Sequence, residues 1–264
     1  MKREVGARMA LTVTEPSELV FSVAAAADVP ARDELLTFRV DGATVEPEEI
    51  VDTHGTRLHR LSAPAGALEM TYEATVVGRA EPESISPTDL IRYLRPSRYC
   101  ESDTLAPTAF AEFNGLQGSA LLDAVSSWVG TRLLYVSGSS QPTDGAVQTL
   151  LDRRGVCRDY AHLCVALLRA RNVPARLASV YAPGLQPMDF HAVAEAYVDG
   201  AWRVVDATAL APRSSLVRIA TGRDASDTAF LTTLAGGILL NELQVTAVVD
   251  TLPNDDLTLW ERIG

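Results

Sequence analysis

Between Leu68 and Val76 apolar and polar side chains alternate without a break: Leu68, Met70, Tyr72, Ala74 and Val76 against Glu69, Thr71, Glu73 and Thr75. A period of two sends the two sets to opposite faces of a strand, so this run predicts a strand with one buried face. Shorter runs of the same kind occur at 11–13, 19–23, 36–40 and 57–61. Turn-forming sequences separate them: Asp41-Gly42, His54-Gly55 and Pro64-Ala65-Gly66. Short strands spaced in this way predict an antiparallel β-sandwich over residues 1–80. Prolines, acidic residues and serines then cluster between Gly78 and Asp89. That composition predicts a linker, placed at 81–95.

Beyond the linker the period lengthens. Leu121, Leu122, Val125, Trp128 and Val129 mark a helix over 119–135, and Thr143-Asp144 is positioned to cap a second helix reaching Leu150 or Leu151. A third helix should start near Gly155-Val156-Cys157 and run to Arg171. It is apolar almost all round, which predicts a place at the centre of its domain. Asn172 and Pro174 supply its stop, the first by tolerating a left-handed turn and the second by being unable to continue a helix. Strands are expected at 175–181, 192–198 and 201–205, the last two joined by Asp199-Gly200, a two-residue hairpin signal. The fold class is therefore α+β, with the N-terminal sandwich followed by an α+β domain at 96–264.

Composition narrows the partners. The 264 residues carry 23 Lys+Arg against 34 Asp+Glu, a formal charge of −11, with no clustered cationic run. Phosphate backbones require such a cluster, so nucleic acid is not an expected partner, and anionic membrane surfaces would repel the chain. No apolar stretch is long enough for a membrane span, and the N-terminus lacks the apolar core of a secretory signal. Three cysteines, an odd and sparse set, fit a reducing cytoplasm better than a disulfide framework. Oligomeric state is not legible in the sequence.

The candidate chemistry centres on Cys157. A side chain in the first turn of a helix feels unpaired backbone N–H groups and the positive end of the dipole; both favour a thiolate, and the same groups can hold an oxyanion. Cys164 lies seven residues on, about 10 Å along the axis, and suits a small buried hydrophobe. A thiolate nucleophile needs a base. His54 and His59 belong to the strand-rich first region, and His162 would point roughly 140° away from Cys157 on a shared helix. His191 remains. With a two-residue turn at 199–200, Val198 pairs with Ala201, and Asp206 becomes the diagonal neighbour of His191 on one face, about 7–8 Å between backbones. A carboxylate can then orient the imidazole.

These residues carry a family resemblance. Gly155-Val156-Cys157-Arg158-Asp159-Tyr160-Ala161-His162-Leu163 resembles the cysteine motif of bacterial transglutaminase-like proteins. Phe190-His191-Ala192 is similar to their histidine motif and Val205-Asp206-Ala207-Thr208 to their aspartate motif. Tyr99–Asp103 and Gly222–Asp227 also resemble segments of this group, and the strand-rich start resembles the sandwich preceding their catalytic domain. Two positions depart from the pattern: Ala207 stands where proline is usual, and Val193 where many members carry tryptophan. The resemblance implies a papain-like core with Cys157 as nucleophile, His191 as base and Asp206 as orienter. It also implies a peptide or protein amide substrate and a thioester acyl-enzyme. Water is the default acceptor, which favours a peptidase or amidase; transfer to an amine and a non-catalytic binding scaffold are the alternatives. Arg158 and Asp159 are expected to pair structurally, and Tyr135 is a candidate second oxyanion donor. No zinc-ligand spacing and no phosphate-cradling glycine motif occurs, so neither a metal nor a cofactor is expected.

Overall fold

Odd-numbered side chains of the first strand, β1 (Lys2–Phe21), face inward: Val5, Met9, Leu11, Val13, Leu19 and Phe21 are buried, whereas Glu4, Arg8 and Thr12 are exposed. A computed structural model describes residues 1–264. After β1 come β2 (Ala31–Val40), β3 (Ala43–Thr44), β4 (Glu48–Val51), β5 (Arg57–Ala63) and β6 (Gly66–Val77). β6 pairs with residues 2–13 of β1 and β5 with residues 17–21, in nearly continuous register along one edge. Pro64-Ala65, expected as a turn separating two strands, is a bend between two ladders on the same partner. Both halves of the bent sheet line one core containing Leu11, Leu19, Phe38, Leu61 and Leu68. The expected sandwich is thus a single antiparallel sheet curled on itself.

The segment 81–95 is more than a tether. It forms α1 (Pro87–Arg92), capped where the Ser86 hydroxyl accepts from the Thr88 amide at 3.2 Å. Tyr93 is buried; its carbonyl accepts from the Ala175 amide at 3.0 Å and its hydroxyl meets His54 at 2.9 Å. Glu83 pairs with Arg176 at 2.6 Å. Composition registers the prolines and acids of this stretch but not the distant partners, His54 and Arg176, that hold Glu83.

The second region contains α2 (Ala106–Glu112), α3 (Gly118–Arg132), β7 (Leu134–Tyr135), α4 (Ala146–Asp152), β8 (Arg154–Gly155) and α5 (Cys157–Ala170). β9 (Ala175–Tyr181), β10 (Phe190–Val198), β11 (Ala201–Val205) and β12 (Val217–Gly222) form an antiparallel sheet in the order β11-β10-β9-β12. α3 stops short of Tyr135 because Leu134 and Tyr135 pair in parallel with Arg154 and Gly155. Thr143-Asp144 does not cap α4; the Glu101 carboxylate accepts from the Ala146 amide at 2.9 Å instead. α5 matches the expected central helix, with Leu163, Cys164, Val165 and Leu167 fully buried against Ala194, Ala196 and Val205. Asn172 ends it at φ 59°, and the Val173 amide turns back to the Leu168 carbonyl at 3.0 Å.

The division at 96–264 needs correction. β13 (Leu231–Val249) leaves the second region and runs antiparallel along the other edge of β1, from Leu231 opposite Phe21 to Val249 opposite Arg3. Its outer side chains, Leu234, Leu239 and Leu240 among them, are exposed, so no clean alternation announces it. Gly236, at φ 87°, sits where β13 crosses the bend of β1; a Cβ there would collide with the Ser17 hydroxyl and the Pro16 carbonyl. The two sheets also share a core, since Tyr181, Val217 and Ile219 pack with the first. Beneath the second sheet Glu195 joins Arg176 at 2.9 Å and Arg218 at 2.8 Å, with the Arg176 guanidinium 3.9 Å over the Trp202 ring. Burial alone would raise the Glu195 carboxyl, but the two guanidinium groups hold it down at about 2.

Candidate active site

Cys157 is the first residue of α5, and its neighbours fix the helix start. The Asp159 carboxylate folds back to accept from the Val156 amide at 2.8 Å and from the Ser140 hydroxyl at 2.9 Å. Arg158 donates to Ser140 Oγ and to the Gln141 carbonyl, each at 2.6 Å, and contacts Asp159 at 3.3 Å. The expected Arg158–Asp159 pair is therefore part of a clamp that ties the 137–142 loop to the helix. Gly155 makes room for it, because a Cβ would come within 2.7 Å of the Asp159 side chain.

The hairpin register is the one expected: Val198 opposite Ala201 and Ala194 opposite Val205. The ladder stops there. Asp206 Oδ1 accepts from the Thr208 amide at 2.9 Å and the Thr208 hydroxyl at 2.6 Å, a local turn that aims Oδ2 at His191. His191 Nε2 lies 3.1 Å from Oδ2, and both side chains are buried. His191 Nδ1 has no hydrogen-bond partner, and the Cys157 thiol is its close neighbour. Burial works against a charged imidazole here. The Asp206 charge and hydrogen bond, followed by Cys157, more than offset it and raise His191 to about 10. Burial likewise pushes the Asp206 carboxyl up, yet His191 and Thr208 together hold it below its usual value.

Cys157, half-buried, lies where two cavities meet. One, of about 610 Å³, opens between the 137–142 loop, Tyr135, and Leu185 to Phe190. The other, of about 330 Å³, also contains His191 and is walled by Phe190, Phe230, Leu231 and Leu243. The Tyr135 hydroxyl faces the Cys157 amide and thiol, and burial followed by the sulfur's charge pushes it up to about 12. Asp189 borders both cavities. Neither the position of Asp189 nor the contribution of Leu231 and Leu243 had a sequence signal, since β13 reaches the site only through its pairing with β1.

A solved structure named "Putative Cysteine Protease" from Cytophaga hutchinsonii is 35% identical, with 97% of this chain and 93% of that chain covered at a TM-score of 0.86. The core model of the transglutaminase-like superfamily matches residues 114–207, a span that holds Cys157, His191 and Asp206. This chain belongs to the transglutaminase-like superfamily. An uncharacterized protein of Mycobacterium leprae is 25% identical over 232 residues, 76% of this chain and 81% of that protein.

In this transglutaminase-like chain the two remaining family-like segments meet each other, and Ala225 of the second also borders the smaller cavity. The Tyr99 amide donates to Asp224 at 2.9 Å, and the Tyr99 ring stacks on His162 with centroids 5.3 Å apart. His162 Nε2 accepts from the Ala225 amide at 3.1 Å. Burial drives the His162 imidazole down to about 3, so it is neutral and acts as an acceptor. These contacts brace α5 from behind. Cys100 and Cys164 are fully buried, and burial pushes both thiols well up. His54 and His59 lie in the N-terminal sheet region, away from the cleft; His54 bonds Glu83 and Tyr93.

Proposed function

We propose that this protein is a cysteine hydrolase, a peptidase or amidase, in which Cys157, His191 and Asp206 act as nucleophile, base and orienter. The observation that carries this reading is the imidazole: Nε2 is bonded to a buried carboxylate, while Nδ1 is left without a partner beside a half-buried thiol at a helix start. At neutral pH the raised His191 holds the proton given up by the Cys157 thiol, the same proton that the leaving amine must receive. The Cys157 sulfur attacks the amide carbonyl, and the oxygen gains charge beside the amides of the α5 start. As the C–N bond breaks, His191 Nδ1 passes its proton to the departing nitrogen, leaving a thioester. His191 then takes a proton from water as that water attacks the thioester, and the tetrahedral adduct collapses to a carboxylic acid and free Cys157. Cys157 is reachable from an open cleft, which gives water direct access and supports hydrolysis over transfer. The substrate class is a peptide or protein amide. The three free thiols suit a reducing cytoplasm.

A thiol-directed electrophile with adduct mapping, followed by cleavage profiling on a mixed peptide library with and without a primary amine, tests this reading. Labelling at Cys157 and peptide products with new carboxyl ends support it. Products conjugated to the amine in place of new acids would establish transfer. Absence of any Cys157 adduct, together with no turnover, would make the chain a binding scaffold.

A further inference from the structure

The two cavities that meet at Cys157 differ in a way the triad does not require. The arm that holds His191 has an apolar wall built from two regions of the chain: Phe190 and Ala192 on β10, Ala229 and Phe230 after β12, and Leu231 and Leu243 on β13. The Phe190 and Phe230 rings stack at 5.4 Å. The walls are half-buried rather than sealed, so a side chain can enter. The other arm presents Ser137, Ser140, Gln186 and Tyr135 alongside its apolar residues, and lies on the side where Tyr135 faces the Cys157 amide.

The chemistry assigns a direction to these arms. The departing nitrogen must come within hydrogen-bond reach of His191 Nδ1, so the leaving half of the substrate lies on the imidazole's side. We propose that the apolar arm is the leaving-group subsite, and that it selects amides whose departing amine carries a bulky aliphatic or aromatic side chain. This rests on the hydrolase reading above. It also gives the N-terminal sheet a role in specificity, because β13 pairs with β1 and supplies Leu231 and Leu243. Burying a full Leu or Phe side chain there corresponds to about a 10- to 100-fold gain in kcat/KM.

The test uses the full chain and a peptide series with one fixed acyl half, varying the first leaving-side residue through Gly, Ala, Leu and Phe. An activated ester of the same acyl half measures the triad without any leaving-side residue. The expected result is a rise in kcat/KM of about 10- to 100-fold from Gly to Leu or Phe. Leu243→Glu and Phe230→Ala should flatten that slope; Leu239→Glu, on the same strand but 60% exposed and outside the cleft, should leave both the slope and ester turnover intact. A flat series in the unmodified protein, or a preference that survives both wall substitutions, overturns the subsite while ester turnover still upholds the triad. Loss of ester turnover and of Cys157 labelling in the unmodified protein overturns the parent reading and the subsite with it.

Discussion

Replacing Asp206 with asparagine changes one atom's chemistry at the point on which the candidate triad turns. The Thr208 amide and hydroxyl both donate to Oδ1, so in Asp206→Asn the amide oxygen is held at that position. The new NH2 then occupies the place of Oδ2, facing His191 Nε2, which must become an acceptor. The single imidazole proton is forced onto Nδ1, the nitrogen beside Cys157, and His191 can no longer take the thiol proton. Removing the carboxylate charge also removes the main cause of the raised imidazole. From about 10, His191 should fall toward 6.5, because burial, the largest influence, is then opposed chiefly by Cys157. At 1.36 kcal/mol per pH unit, that interval corresponds to about 5 kcal/mol of preference for the imidazolium. The expected consequence is a fall in kcat of about 10³- to 10⁴-fold with the hairpin retained. Histidine-selective NMR titration of both proteins, paired with turnover of an activated ester, measures both effects. An unmodified His191 that titrates near neutrality, or an Asp206→Asn protein that keeps its turnover, would refute the argument.

The same pair makes stability depend on pH. His191 is raised in the folded state, so its contribution is fully present below about pH 6.5 and is lost as pH climbs toward 10; Asp206, held low, loses the same interaction as pH falls below 3.8. Denaturant melts across that range should show both limbs, and Asp206→Asn should remove them. Cys157→Ala should leave Tm nearly unchanged and abolish electrophile labelling, whereas Cys164→Ser should cost about 1–3 kcal/mol by placing a hydroxyl in an apolar core; mapped adducts and thermal melts distinguish the two. Glu195→Gln leaves the buried Arg218 without a carboxylate and Arg176 with Glu83 alone, and should cost about 3–5 kcal/mol, a drop in Tm of roughly 6–20 °C by calorimetry. Gly130→Ala would put a methyl 2.7 Å from the Ala207 carbonyl, next to Asp206, and should lower kcat more than it raises KM.

Local pattern was enough for much of this molecule. The apolar character of 157–170, the Asn172–Pro174 stop and the Asp199-Gly200 turn are written in short stretches, because helix termination and hairpin register depend on a few adjacent backbone angles. The register in turn placed His191 and Asp206 as diagonal neighbours, and the cysteine at the helix start followed from the same reading. Pairings between distant segments were beyond it. β13 lies on an exposed edge, so burial imposes no alternation on its outer side chains, and only its ladder with β1 defines it. The acids of 81–95 resemble a solvated tether until Arg176 and His54 arrive from elsewhere in the chain. Residues 206–208 illustrate the division most sharply. Sequence spacing brought Asp206 to the correct side of the hairpin, but the Thr208 hydrogen bonds aim its carboxylate. The fold alone brings the apolar wall of β13 to the same sulfur. Adjacent residues determine element and register; a two-armed cleft requires surfaces contributed by chain segments that meet only when both sheets have closed on a shared core.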